Sequence, residues 1–377
     1  MIIKEIDSKK IKDSNGLDTI EVSINKCKAS SPSGKSTGKY ETPSWKNSID
    51  WNIESINDLK ELIGVEMDKF EDLEKIEEII RKKFKLKSVK QFGANALFAL
   101  ESAVLKALAK SEKKELWQII NPAARKMPFP VGNCVGGGLH ARAKNAPVFQ
   151  EFLLIPGSEM ILENVRIMNE AYSRIQFLVN ASSKDDEGAW ETTLTNDQIL
   201  DALTNFSQLR IGLDVAASTF FRKDKYRYYG MSLSRAQQIL YINSLIEKYN
   251  LLYVEDPLDE EDFSGFSEIL KKNLVVGDDL TTTNLERVKK ATENNSINAM
   301  IVKPNQNGSL LEVKEIIEFC KQNGIKTILS HRAGETLDSA LADYAFGFQV
   351  DYIKCGISTK WREIKLNRLI EIEMSFR

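Results

Sequence analysis

Residues 251–304 read LLYVEDPLDEEDFSGFSEILKKNLVVGDDLTTTNLERVKKATENNSINAMIVKP, and their pattern decides the fold. Three short apolar runs, LLYVE, LVVGD and AMIVK, each end in one charged residue: Glu255, Asp278 and Lys303. Between the runs lie polar, helix-compatible stretches. Such an alternation predicts βα units on a parallel sheet. The pattern continues outward. On the N-terminal side FLLIP and LRIGLDV read as strands, the latter ending in Asp214. On the C-terminal side TILSHR runs into Arg332 and VDYIKCG carries Lys354. Amphipathic stretches such as SRAQQILYINSLIEKY and LLEVKEIIEFCKQ sit between strands. So long a series predicts a closed α/β barrel, with an open doubly wound sheet as the alternative.

The chain has 377 residues, and a barrel takes roughly 250, so about a third is left over. Residues 1–45 read as short strands and loops, with TIEVSI (Thr19 to Ile24) as a half-buried strand. SSPSGKSTG (Ser30 to Gly38) has the composition of a mobile loop. Residues 52–121 turn helical, and Leu97, Leu100, Val104 and Leu108 form one apolar helix face. MPFPVG (Met127 to Gly132) reads as a linker. The chain therefore divides into an N-terminal domain, 1–125, and a barrel domain, 126–377.

Formal net charge is −2, which excludes a general nucleic-acid binder. No apolar run reaches the length of a membrane span, and MIIKEIDSKK is no signal peptide. Cys27, Cys134, Cys320 and Cys355 are scattered, as reduced thiols in a cytoplasmic protein would be. SGKST resembles the end of a phosphate-binding P-loop, but that motif needs glycine where Ala29 stands.

In a barrel the strand ends converge on one mouth. Asp214, Glu255, Asp278, Lys303, Arg332 and Lys354 are thereby expected in one place. Three carboxylates on rigid strands, with no His or Cys beside them, suit a hard cation: Mg²⁺ first, Mn²⁺ as a substitute. A lysine beside bound cations has a lowered pKa and can act as a general base. Only two histidines occur. His140 follows a triple glycine and His331 precedes Arg332, both on loops at the expected mouth. Glu151, in FQEFLL, lies in an otherwise apolar strand and needs a partner or a purpose. Glu187, in KDDEGAW, reads most simply as part of a solvated turn.

Taken in order, these strings resemble the enolase family. DSNGLDTIEV is similar to the family's DSRGNPTVEV, SPSGKSTG to VPSGASTG and QFGANALFAL to GANAILAVS. QEFLLIP, DVAAS, VEDPLDEEDF, GDDLTTTN, KPNQNGS, SHRAGETLD and IKCG follow in the family's order. The resemblance implies an α/β fold of the enolase type: a (βα)8 barrel variant, its first strands not all parallel, under an N-terminal α+β capping domain. It implies a Mg²⁺-dependent hydro-lyase that interconverts 2-phosphoglycerate and phosphoenolpyruvate, with two Mg²⁺ bound when substrate is present. Asp214, Glu255 and Asp278 match the ligands of the tight cation, and Ser36 the loop ligand of the second. Lys303 matches the base at C2. Glu187 matches the acid at the C3 hydroxyl, with Glu151 supporting it. Lys354 matches the contact to the substrate carboxylate and Arg332 the phosphate ligand. His140 and Gln150 match pocket residues, and His331 lies beside them. The partner implied is a small phosphorylated acid, in a homodimer or larger homo-oligomer, with no nucleic acid and no membrane.

The chain departs from the family at several points. Ala333 replaces a phosphate-contacting serine, which removes one hydrogen bond to an anion, about 1.5–3 kcal/mol. Asn15 replaces an arginine of the subunit interface. GDEGGFAP has become DDEGAWET, and the segment from His140 to Glu151 is longer. These changes leave two other readings open: an enolase-like dehydratase for a related acid, or a non-catalytic paralogue acting as a binding protein.

Overall fold

The computed structural model describes residues 1–35, 38–142, 145–181 and 183–376. Ser36, the expected loop ligand, lies outside the described residues.

Eight strands close into a barrel: Phe129–Gly136, Glu151–Pro156, Leu209–Asp214, Tyr253–Glu255, Leu274–Gly277, Ala299–Val302, Lys326–Ser330 and Tyr352–Lys354. The last strand pairs with the first, Tyr352 facing Phe129, which rules out the open sheet. The second strand runs antiparallel to both its neighbours, and the other barrel pairings are parallel. Val131, Leu153, Ile155, Tyr253, Val276, Ala299, Ile301 and Ile328 fill the interior as one apolar cluster. Several outer helices begin at side-chain caps. Ser234 accepts from the Gln237 N–H ahead of Arg235–Tyr249, and Ser309 from the Glu312 N–H ahead of Leu310–Gln322.

The linker expected at Met127 to Gly132 is instead the start of the first barrel strand. Its prolines mislead because proline usually breaks ladders. Here Pro130 pairs only with Ile353, and pairing to the second strand begins at Gly132. At a strand start with one neighbour, a missing N–H is tolerated.

Ahead of the barrel, Ile6–Lys12, Asp18–Ile24 and Cys27–Ser30 form an antiparallel sheet. The helix Ala94–Glu112 packs on it. Its apolar stripe was expected on one face, but Phe98, Ala99, Glu101 and Leu105 are buried as well. The helix is wedged between the sheet and the barrel segment Pro304–Asn307, so it has hardly any solvent face. A two-way backbone bridge between Ser33 and Gly334 ties the N-terminal loop to the barrel mouth. Among the described residues no helix is long and apolar enough to cross a membrane.

Candidate active site

The carboxyl ends of the parallel strands meet at one mouth, under the loop that holds Gly34 and Lys35. Asp214 ends the third strand and Glu255 the fourth, and the register sets them side by side. Asp278 lies just past the fifth. The second strand runs the other way, so its first residue, Glu151, is the one at the mouth, paired with Asp214. Period-two alternation alone could not show this, because the direction of a strand is not written in it.

Lys354 sits at the centre of the anionic side. Its Nζ lies 2.8 Å from both Glu151 Oε2 and Glu255 Oε2, and 3.2 Å from Asp214 Oδ2. All four groups are buried. One ammonium cannot balance three buried carboxylates, so protons are retained. Burial pushes Glu151 well above the usual carboxylate range, and burial with Asp214 pushes Glu255 up to about 8. Burial opposes the charge on Lys354 too, but the acids around it outweigh that and hold it well above its ordinary value. Lys303 reaches across to Asp278. Burial pulls this lysine down, yet Asp278 more than compensates, so among the protein's own charges Lys303 is raised.

Two acidic sets bear on cation binding. Asp256, Asp278 and Asp279 bring oxygens within 4.8 Å of one another. Asp256, however, spends its oxygens on the backbone N–H groups of Asp278 (3.0 Å) and Asp279 (2.7 Å). In contrast, Glu255 Oε1 and Asp278 Oδ1 are buried with no hydrogen-bond partner. Buried carboxylate oxygens without donors suit a hard cation, so Glu255 and Asp278 each offer one oxygen to a divalent metal, whereas Asp214 Oδ1 accepts from the Ala216 N–H at 3.1 Å and its Oδ2 lies 3.2 Å from Lys354 Nζ.

Glu187 lines the same mouth. The expectation of a solvated turn fails, since Glu187 is only 5% exposed. His331 Nε2 lies 3.3 Å and His140 Nδ1 3.6 Å from its two oxygens. Burial raises Glu187, but the two imidazoles outweigh it and hold the carboxyl well below its usual range. Burial also lowers His331, against the pull of Glu187. These shifts compete, since a neutral imidazole stabilises a carboxylate less. With two imidazoles on one carboxylate, Glu187 is the ionised partner. Glu151 is its neighbour, and the ligand atoms of His140, Glu151 and Glu187 lie within 4.8 Å of one another. Two adjacent acids are thus pushed in opposite directions, as acid/base pairs are. Gln150 Nε2 lies 3.4 Å from Asp214 Oδ2.

Arg332 lies at the cavity's far edge and donates from Nη2 to both oxygens of Glu41, at 3.2 and 3.0 Å. Its backbone N–H donates to Glu335. Ala333 is buried, and its carbonyl accepts from Arg362 and Ser14. Asn15 is exposed.

Two parts of the site were missed in the sequence. Glu41 gave no signal, because its partner is 291 positions away. Tyr253, whose hydroxyl donates to Glu255, was recoverable: two positions apart on one strand, both side chains point into the barrel.

Comparison with known proteins decides the family. A family model described as the N-terminal domain of enolase matches residues 3–120, and one described as its C-terminal TIM barrel domain matches residues 124–376. The chain belongs to the enolase family. It is 34% identical to the enolase of Archaeoglobus fulgidus, over 99% of this chain and 97% of that protein. It is 36% identical to the enolase of Sulfurisphaera tokodaii, over 99% and 96% respectively. As in the enolase family generally, a divalent metal and a phosphorylated acid substrate are implied for this site.

Proposed function

We propose that this enzyme is a hydro-lyase that reversibly dehydrates 2-phosphoglycerate to phosphoenolpyruvate, using Mg²⁺. One observation supports the reading: Lys303, Glu151 and Glu187 line one cavity together with Asp214 and Asp278, and strand register sets Glu255 beside Asp214. A base and an acid within reach of one substrate are what an elimination of water uses.

Asp214, Glu255 and Asp278 would hold the metal, with Ser36 as a further ligand. Bound there, it would supply electrostatic stabilisation for charge building up on the substrate carboxylate. Lys303 Nζ takes the proton from C2. Sharing Asp278 between Lys303 and a cation would lower the lysine toward the range of a base. Lys354 orients the substrate carboxylate and Arg332 the phosphate, with Gln150 and His140 lining the pocket. Glu187, ionised at rest, takes up a proton from Glu151, whose carboxyl burial holds well above the usual range, and passes it to the C3 hydroxyl, which leaves as water. His331 and His140 hold Glu187 between these turns. The cavity is about 40 Å³, room for a few waters, so Arg332 must trade Glu41 for the incoming phosphate.

The catalytic unit is taken as residues 126–377, capped by 1–125, in a cytoplasmic homo-oligomer. The test is direct. Purified protein with 2-phosphoglycerate and Mg²⁺ should produce phosphoenolpyruvate, seen by its ultraviolet absorbance, and a chelator should abolish it. Folded, metal-loaded protein that makes none would defeat the proposal.

A further inference from the structure

The turn that carries Glu187 is held by an aspartate without a counterpart in the family pattern. Asp185 is 6% exposed. Its Oδ1 accepts from the backbone N–H groups of Glu187 at 2.8 Å and Ala189 at 2.9 Å. Its own N–H donates to the Ala189 carbonyl at 2.9 Å, and its carbonyl accepts from Gly188 at 3.2 Å. Both backbone groups and one carboxylate oxygen of this residue therefore close the turn 185–189.

The other oxygen points elsewhere. Asp185 Oδ2 is buried with no hydrogen-bond partner and is pressed against Gly136, where a Cβ would stand 1.9 Å away. Gly136 ends the first barrel strand and is the register partner of Glu151. The Asp185 side chain thus fills the space a Cβ at position 136 would need, and any larger residue there would push it aside. In the enolase pattern GDEG, glycine occupies the place of Asp185 in DDEG.

We propose that Asp185 is a positioning residue, bracing the Glu187 turn against the Gly136 backbone and so setting where Glu187 stands relative to Glu151 and the two histidines. It does not touch the substrate. The proposal rests on the reading of Glu187 as the acid, and its test separates the two.

Asp185→Gly restores the family residue and removes the brace. Asp185→Asn keeps an oxygen acceptor for the two N–H groups. Both are compared with the unaltered chain for turnover of 2-phosphoglycerate with Mg²⁺. His140 and His331 are the chain's two histidines, and both contact Glu187, so imidazole NMR signals report its position directly. Asp185→Gly should lower kcat about 10- to 100-fold with KM changed less than about twofold. It should also move both imidazole signals. Asp185→Asn should return kcat to within about threefold and the signals to their original places. Unmoved imidazoles in Asp185→Gly, or an equal loss in both variants, would overturn the brace. If the unaltered chain turns over no 2-phosphoglycerate, the imidazole comparison still decides the positioning claim. Should the glycine variant fail to fold, Asp185→Ala carries the same expectations.

Discussion

The two walls of the mouth are built by different means. On one wall, Asp214, Glu255, Asp278, Lys303 and Lys354 stand on or just past barrel strands, and ladder register sets their spacing. On the other, Glu187 stands on a turn closed by its own Asp185, between imidazoles from two loops. A strand-end group moves only if the barrel moves. A turn-borne group moves when one local contact is lost. Under the proposed mechanism the metal and base functions would sit on the stiffer wall and the acid on the more adjustable one.

The largest expected effect tests the stiff wall. Lys303→Ala should lower turnover by about 10³-fold or more and abolish C2-proton exchange, with cation binding intact by calorimetry. Retained exchange would remove Lys303 as the base. Next comes the adjustable wall. Glu187→Gln should lower turnover roughly 10²-fold yet leave C2 exchange measurable, because it acts at the hydroxyl. Loss of both would mean that the walls do not divide the work.

A smaller effect lies behind the strand ends. Tyr253→Phe removes a buried donor to Glu255 and should weaken cation affinity about 10-fold, with the fold unchanged by circular dichroism. An unchanged affinity would show that ladder register and Lys354 hold Glu255 without the tyrosine. At the loop edge, Ala333→Ser should tighten binding of the phosphorylated substrate by up to about 10-fold. No tightening would mean that the Arg332 loop has been rebuilt around alanine, consistent with its clasp of Glu41.

The smallest effect is in stability, away from both walls. Glu101 is fully buried where the long helix meets the barrel, and accepts the Leu310 N–H. Burial and its neighbour Glu77 raise it well above 4.5. A raised carboxyl favours folding below the unfolded value, and that contribution is lost as pH rises through the folded one. Melting temperature should therefore fall by a few degrees between pH 5 and pH 9, and Glu101→Gln should flatten that fall. An equally steep decline in the variant would place the titration elsewhere.

Legibility followed the same division. The strand ends were readable because an apolar run that stops at a charged residue is a local signal, repeated at βα spacing. The first strand was misread as a linker because Pro128 and Pro130 hide a ladder that pairs on one side only at its start. Glu187 was misread as solvated because burial depends on what lies over a turn, and here His140 and His331 come from distant segments. The two-way bridge from Ser33 to Gly334 joins positions about 300 residues apart, beyond the reach of any local pattern.

By itself, then, the sequence determined the series of βα units, the identity of their strand-end carboxylates and lysines, and the resemblance to the family, because short-range periodicity and ordered motifs encode all three, while closure into a barrel was settled by the pairing of the last strand with the first. Only the tertiary structure decided the reversed second strand that brings Glu151 to the mouth, the Glu41 hold on Arg332 and the contact of Asp185 with Gly136 behind Glu187. Each of these depends on strand direction or on contact between segments far apart in the chain, and neither is carried by the residues on one side alone.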